Sequence, residues 1–212
     1  METRQPEEQI SKWKKKLKMQ DYFVVNLVRT GGGLALLWDV LVSVSVVDFS
    51  PNFIDTVVTF LSEDFVCQIT FMYGNPHDNE KKAFWHSTYT CFNPRSSSWL
   101  CVGDFNEIQW SFEKWGGTPP DIWRIKLFRS SNAQLRELNF QGPEFTWFAM
   151  RNQRVYIKER LDRARANVEW CSNQTRTQVF HLPKVGSYHR PILVDTLPSE
   201  IKGKPLFRYE QF

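Results

Sequence analysis

The sequence predicts an α/β protein in which two packed sheets carry helices on their outer faces. Short runs rich in strand formers outnumber stretches with helical periodicity. Hairpin-length spacings mix with longer helical crossovers, which argues against a doubly wound parallel sheet. The composition fits a chain with a sizeable core: of 212 residues, 42% are hydrophobic and 15% aromatic (9 Trp, 6 Tyr and 17 Phe). With 24% charged residues, 10 Gly and 11 Pro, disordered and collagen-like classes are excluded.

Pro6-Glu7-Glu8-Gln9-Ile10 opens a helix, because proline is pre-set for a first turn and acids favour the positive end of the dipole. Ile10, Trp13 and Leu17 form its apolar side, with lysines crowding the other. Strands are expected at Tyr22–Val28, at Leu34–Trp38 after Gly31-Gly32-Gly33, and over the period-two run Leu41–Val46. Phe65–Tyr73 is the clearest strand, with Phe65, Cys67, Ile69, Phe71 and Tyr73 on one face, and Gly74-Asn75-Pro76 ends it. A helix capped by Asp78 follows, with Phe84, Thr88 and Cys91 along one stripe. Ser98–Val102 reads as a short buried strand leading into Gly103-Asp104-Phe105-Asn106. Phe128, Asn132, Leu135 and Leu138 fall at helical spacing, and Gly142-Pro143 breaks the chain before Phe145-Thr146-Trp147. Arg154–Ile157, Gln178–Leu182 and Pro191–Asp195 are further short strands. The domain is expected over residues 1–195, with 196–212 as a trailing linker containing Pro198, Gly203 and Pro205.

The stretch Leu34–Phe49 is interrupted by Asp39, Ser43, Ser45 and Asp48, so no membrane span is expected, and Met1–Pro6 shows no secretory signal. Cys67, Cys91, Cys101 and Cys171 lack zinc-site spacing and are expected to be reduced thiols of an intracellular protein. The net charge of +4 is uneven. Lys12, Lys14, Lys15, Lys16 and Lys18 form one cluster; Arg151, Arg154, Lys158, Arg160, Arg163 and Arg165 form another. Such runs are either solvated faces or contacts for a polyanion backbone.

Polar residues at strand ends carry the candidate chemistry. Asp104 and Asn106, two apart in extended chain, would project together; a carboxylate beside an amide suits a hard cation, a phosphoryl oxygen or proton transfer from water. The alternative is a strand-end turn in which both bond their own backbone. Asp162, in Arg160-Leu161-Asp162-Arg163, reads alone as part of a surface ion-pair network. His189, in Ser187-Tyr188-His189-Arg190-Pro191, is useful only if a partner orients it.

Taken in order, Met1-Glu2-Thr3-Arg4, Met72-Tyr73-Gly74-Asn75-Pro76, Gly103-Asp104-Phe105-Asn106, Phe145-Thr146-Trp147, Arg160-Leu161-Asp162-Arg163 and Ser187-Tyr188-His189-Arg190-Pro191 resemble the endonuclease/exonuclease/phosphatase superfamily. Within it, they look most like the endonuclease domain of plant LINE-type (non-LTR) retrotransposons. The resemblance implies a four-layer α/β sandwich of two packed mixed sheets flanked by helices, and a Mg²⁺-dependent phosphodiesterase, with Mn²⁺ as the alternative ion. By position, Glu2 and Asp162 would serve the metal, and Asp104 would activate or position water. His189 would stabilise transition-state charge, Tyr73 and Asn106 would hold the scissile phosphate, and Thr146 would support its pocket. DNA would be the partner, met through the Lys and Arg clusters, in the nucleus; no membrane and no obligate protein partner are expected.

Three departures from the family pattern predict impairment. The resemblance begins at the Glu2 motif, so the family's preceding strand with its Asn and the helix after it are expected to be lacking. Tyr188 stands where the pattern Ser-Asp-His has its carboxylate. Thr146-Trp147-Phe148-Ala149 lacks the Asn that follows the family's Thr-Trp. The expected function is an impaired retrotransposon-derived endonuclease domain, and the alternative is a non-catalytic nucleic-acid-binding remnant.

Overall fold

The computed structural model describes residues 2–3, 5–26, 33–91, 98–152 and 154–198. The first half runs β1 (Glu2–Thr3), α1 (Glu7–Leu17), β2 (Asp21–Val25), β3 (Gly33–Trp38), β4 (Val42–Ser50), β5 (Phe53–Phe60), β6 (Phe65–Tyr73) and α2 (Asp78–Cys91). The second runs β7 (Trp99–Asp104), a 3-10 turn (Ser111–Glu113), β8 (Lys114–Trp115), α3 (Ile122–Ser131), β9 (Arg136–Glu137), β10 (Phe140–Gln141), β11 (Trp147–Arg151) and β12 (Arg154–Glu159). It ends in β13 (Asp162–Ala166), α4 (Val168–Asn173), β14 (Gln178–His181) and β15 (Ile192–Asp195).

Among the described residues the strands form a mixed six-stranded sheet, β4-β5-β6-β7-β13-β9, and three smaller sheets, β1-β3-β2, β11-β12-β8 and β10-β14-β15. In the large sheet β6 and β7 run parallel and the other neighbours antiparallel. The expected second sheet is thus split into three short pieces.

Side-chain alternation along β7 shows how the layers assemble. Trp99 and Cys101 face Trp85 of α2 and Phe128 of α3, while Leu100 and Val102 face Val179 of β14 and Trp170 of α4. On the same side as Leu100, Ile54 of β5 meets Val25 of β2 and Leu34 of β3. The other side of β2 carries Tyr22, whose ring lies under Lys14 of α1. Helices α2 and α3, the large sheet, the sheets holding β2-β3 and β14, and α1 therefore stack in four layers.

Helix α1 lies where the proline and acids predict, but only Ile10 of its apolar stripe is buried; Trp13 and Leu17 are 37% and 57% exposed. β2 is described only to Val25, and Val28 lies outside the described residues, as do the side chains of Thr88 and Cys91. α3 stops at Ser131, so Leu135 and Leu138 do not continue it; Leu138 N–H instead donates to Ala164 O of β13 at 2.9 Å. β5 was not expected as a strand. Its alternation is broken by Asp55, a buried carboxylate that accepts hydrogen bonds from Gln68 and Thr70 on β6. β13 was not expected either, because its arginines read as surface charge; all five of its residues are buried.

Gly103 adopts φ +144°, and a Cβ there would stand 2.1 Å from Met72 O. Gly103→Ala should therefore force β6 and β7 apart and cost about 2–3 kcal/mol of stability, read as a lowered urea midpoint. An unchanged midpoint would show that the ladder yields there at little cost.

Candidate active site

β6 and β7 end together. Tyr73 is the register partner of Asp104 in the parallel pair, and Asp104 is the register partner of Asp162 across the antiparallel pair β7–β13. Register partners point to the same side of a sheet, so Tyr73, Asp104 and Asp162 form one row across three neighbouring strands. Asp104 and Asp162 are 7% and 1% exposed.

His189 comes to this row from the segment before β15. Its position is set by backbone: Trp147 and His189 form an antiparallel bridge, Arg190 N–H donates to Thr146 O at 2.8 Å and Phe148 N–H to Tyr188 O at 3.1 Å. His189 Nδ1 lies 3.0 Å from Asp162 Oδ2, and its Nε2 lies 3.8 Å from Asp104 Oδ2. A carboxylate on Nδ1 holds the proton there and leaves Nε2 as the nitrogen turned to Asp104. The imidazole thus has an orienting carboxylate after all. The expectation that Tyr188 deprives it of one fails because Asp162, on another strand, already occupies Nδ1. Tyr188 itself is 60% exposed.

Thr146 is fully buried, and its hydroxyl accepts from the N–H groups of Leu161 and Asp162 at 3.0 Å each. It fixes the start of β13 and hence the Asp162 carboxylate. Asn106 departs from the extended geometry expected of it. The strand ends at Asp104, Asn106 has φ +51°, and its side chain donates to Gly74 O at 2.8 Å. Its N–H donates to Asp104 Oδ1 at 2.8 Å, so the turn alternative holds for one oxygen of Asp104 while the other faces His189. Glu2 lies in β1 opposite Leu34, and its side chain lies outside the described residues.

Two contributors carry no signal in the sequence. Asn52 brackets Tyr73: Tyr73 N–H donates to Asn52 O at 2.7 Å, and Asn52 Nδ2 donates to Tyr73 O at 2.9 Å. Lys81 of α2 donates to Asn106 O at 2.5 Å and lies 3.8 Å from the Glu107 carboxylate. Burial pulls its ammonium below the usual lysine range, against the opposing pull of Glu107 and Asp78. Among the described residues, the buried thiols of Cys67 and Cys101 offer no nucleophile here. Burial pushes the Cys67 thiol up to about 12 and raises Cys101 as well.

The second basic cluster is largely internal. Arg160, Arg163 and Arg165 are 8%, 1% and 4% exposed, because the side chains beside Asp162 turn away from the site into the protein. Arg160 and Arg163 both pair with Glu113 and with Glu137, and Arg165 bonds Gln109. These three are not available to a nucleic-acid backbone, contrary to the expectation from sequence.

Among the described residues, Asp104, Asp162 and His189 form the one group able to hold a metal ion, each offering a ligand atom within 4.8 Å of the others. No helix among those residues is long and apolar enough to cross a membrane.

No protein-family model matches the sequence, and no curated protein matches it. Solved structures do. The endonuclease domain of TRAS1, a telomere-specific non-LTR retrotransposon, aligns with TM-score 0.59 at 16% identity over 82% of this chain and 78% of that one. A humanized D. rerio TDP2 aligns with TM-score 0.56 at 13% identity, covering 86% and 78%. The Xenopus laevis APE2 catalytic domain aligns with TM-score 0.54 at 15% identity, covering 81% and 73%. The chain shares their endonuclease/exonuclease/phosphatase-type fold.

Proposed function

We propose that this chain is a Mg²⁺-dependent phosphodiesterase domain that nicks DNA, derived from a plant LINE-type retrotransposon endonuclease and acting in the nucleus. The observation that carries the proposal is the row of Asp104 and Asp162 across adjacent strands with His189 held between them. That row lies in a fold shared with the TRAS1 endonuclease domain.

The donor set fits a hard divalent ion, because carboxylate oxygens of Asp104 and Asp162 converge within 4.8 Å. Glu2 and Asp162 would hold it, with Asp104 beside them. When bound, such an ion neutralises phosphate charge and favours ionised water. The residues do the rest. Asp104 takes a proton from the attacking water or positions it. His189, with Nδ1 fixed by Asp162, presents Nε2 to the developing oxyanion and supplies a donor there once protonated. Tyr73 and the Asn106 amide flank the phosphate at the ends of β6 and β7. Thr146 acts through Asp162 by holding its backbone.

A supercoiled-plasmid nicking assay with Mg²⁺ tests this. Wild-type protein should convert supercoiled to open-circular DNA, EDTA should stop it, and Asp104→Asn should slow it by about 100-fold or more. Nicking that survives Asp104→Asn would remove Asp104 from the reaction. Absent nicking with retained, salt-dependent DNA binding would instead support the non-catalytic binding remnant.

Tyr188→Asp is expected to give no gain in the turnover of bound DNA, since Asp162 already binds Nδ1 at 3.0 Å. A gain of tenfold or more, measured under the same conditions, would mean that the position of Tyr188 limits this enzyme.

A further inference from the structure

We propose that Phe148, Lys184, Tyr188 and Arg190 form a nucleotide subsite flanking the reaction centre, which takes an unpaired base and its attached phosphate. The subsite presupposes the polynucleotide substrate proposed above.

The backbone bridge that sets His189 also sets this surface. His189 pairs with Trp147, so Tyr188 pairs with Phe148 and Arg190 with Thr146. Neighbours along an extended strand point to opposite sides. His189 turns inward to Asp162, and Tyr188 and Arg190 turn to the other side, where Phe148 also lies. Lys184 Nζ stands 5.7 Å from the Tyr188 ring centre and 5.6 Å from that of Phe148, and the Arg190 guanidinium stands 5.2 Å from the Phe148 ring centre.

Two properties name the ligand. The first is uncompensated charge. Lys184 and Arg190 form no ion pair with a carboxylate among the described residues, and Arg190 Nε is buried without a hydrogen-bond partner. Among the described residues only ring faces meet these cations, which is weak compensation compared with a phosphate. The second is exposed flat apolar surface. Tyr188 is 60% exposed. An anion with a planar apolar part answers both, and a nucleotide of a nucleic-acid strand has that chemistry. Stacking on Tyr188 needs a base face that no neighbouring base covers, so the base is an unpaired one.

The test uses a single-stranded oligonucleotide carrying 2-aminopurine, with EDTA present so that nothing is cleaved. Wild-type protein should quench the probe on binding. Tyr188→Ala should weaken binding by roughly tenfold and lose the quench, whereas Tyr188→Phe should retain both. Lys184→Gln should lower the slope of log affinity against log salt by about 0.7. Wild-type affinity and quench in Tyr188→Ala, or no binding by wild-type protein, would overturn the subsite. The two proposals fail separately. Plasmid nicking with Mg²⁺ by a protein whose oligonucleotide binding ignores Tyr188→Ala sinks the subsite alone. Binding that depends on Tyr188, in a protein that never nicks, leaves the subsite standing and sinks the phosphodiesterase.

Discussion

Asp162→Asn is expected to slow plasmid nicking by roughly 10²–10⁴-fold, the range that an acid–base or charge-stabilising group contributes. The substitution keeps shape and removes charge. Asp162 is 1% exposed, and its carboxylate meets His189 Nδ1 at 3.0 Å. An amide in that place either accepts more weakly from Nδ1–H or turns its NH₂ to Nδ1, which moves the imidazole proton to Nε2. Both take away the negative charge that stabilises a protonated ring, the form that donates most strongly to the developing oxyanion. The loss should fall on turnover more than on KM. The Thr146 hydroxyl still holds the backbone at residues 161 and 162, so the fold should survive. Nicking within a few-fold of wild type would show that the Asp162–His189 pair is structural.

The second large effect is on stability. Glu113→Gln should cost about 3–5 kcal/mol in urea unfolding, the range for breaking one partner of a buried ion pair. Glu113 is fully buried, pairs with Arg160 and Arg163, and accepts from the N–H groups of Gln109 and Trp110. Without its charge, Arg163, itself buried, keeps only Glu137 as a carboxylate partner among the described residues. The same carboxylate makes stability depend on acid. Burial alone would raise its pKa, but Arg163, then Arg160, and the Gln109 N–H outweigh that and hold it below the ordinary 4.5. A group depressed in the folded state stabilises above its unfolded pKa, and that contribution is lost as pH falls through the lower folded value. Wild-type stability should therefore drop below about pH 4.5, and the Glu113→Gln protein should show a flatter acid limb. Equal acid limbs would place the acid sensitivity elsewhere.

These effects explain what the sequence could and could not disclose. β6 and β7 were legible because apolar residues fill them, and the break at Gly74 and the turn at Gly103–Asn106 followed from residue type. β5 and β13 were hidden because polar and charged residues interrupt their patterns while remaining buried. Asp55 is satisfied by Gln68 and Thr70, and Arg163 by Glu113 and Glu137, partners 13 to 50 residues away. No local periodicity reports a partner at that distance. The site behaved alike. Asp104, Asp162 and His189 stood out as ordered motifs, but the tie between Asp162 and His189 depends on which strands are neighbours. Asn106 misled because two-residue spacing predicts a shared face only in extended chain, and its backbone is left-handed.

The lateral row at the ends of β6, β7 and β13 also limits how such a protein can change. The spacing of its carboxylates is quantised by the hydrogen-bond ladder. A slip of one residue between β13 and β7 would put Arg163 in the pocket and Asp162 on the helix side, tearing the buried arginine from Glu113. No intermediate spacing exists between those two states. New substrates must therefore be accommodated by the segments that overhang the row, such as residues 182–191, while the row itself is either kept intact or lost whole.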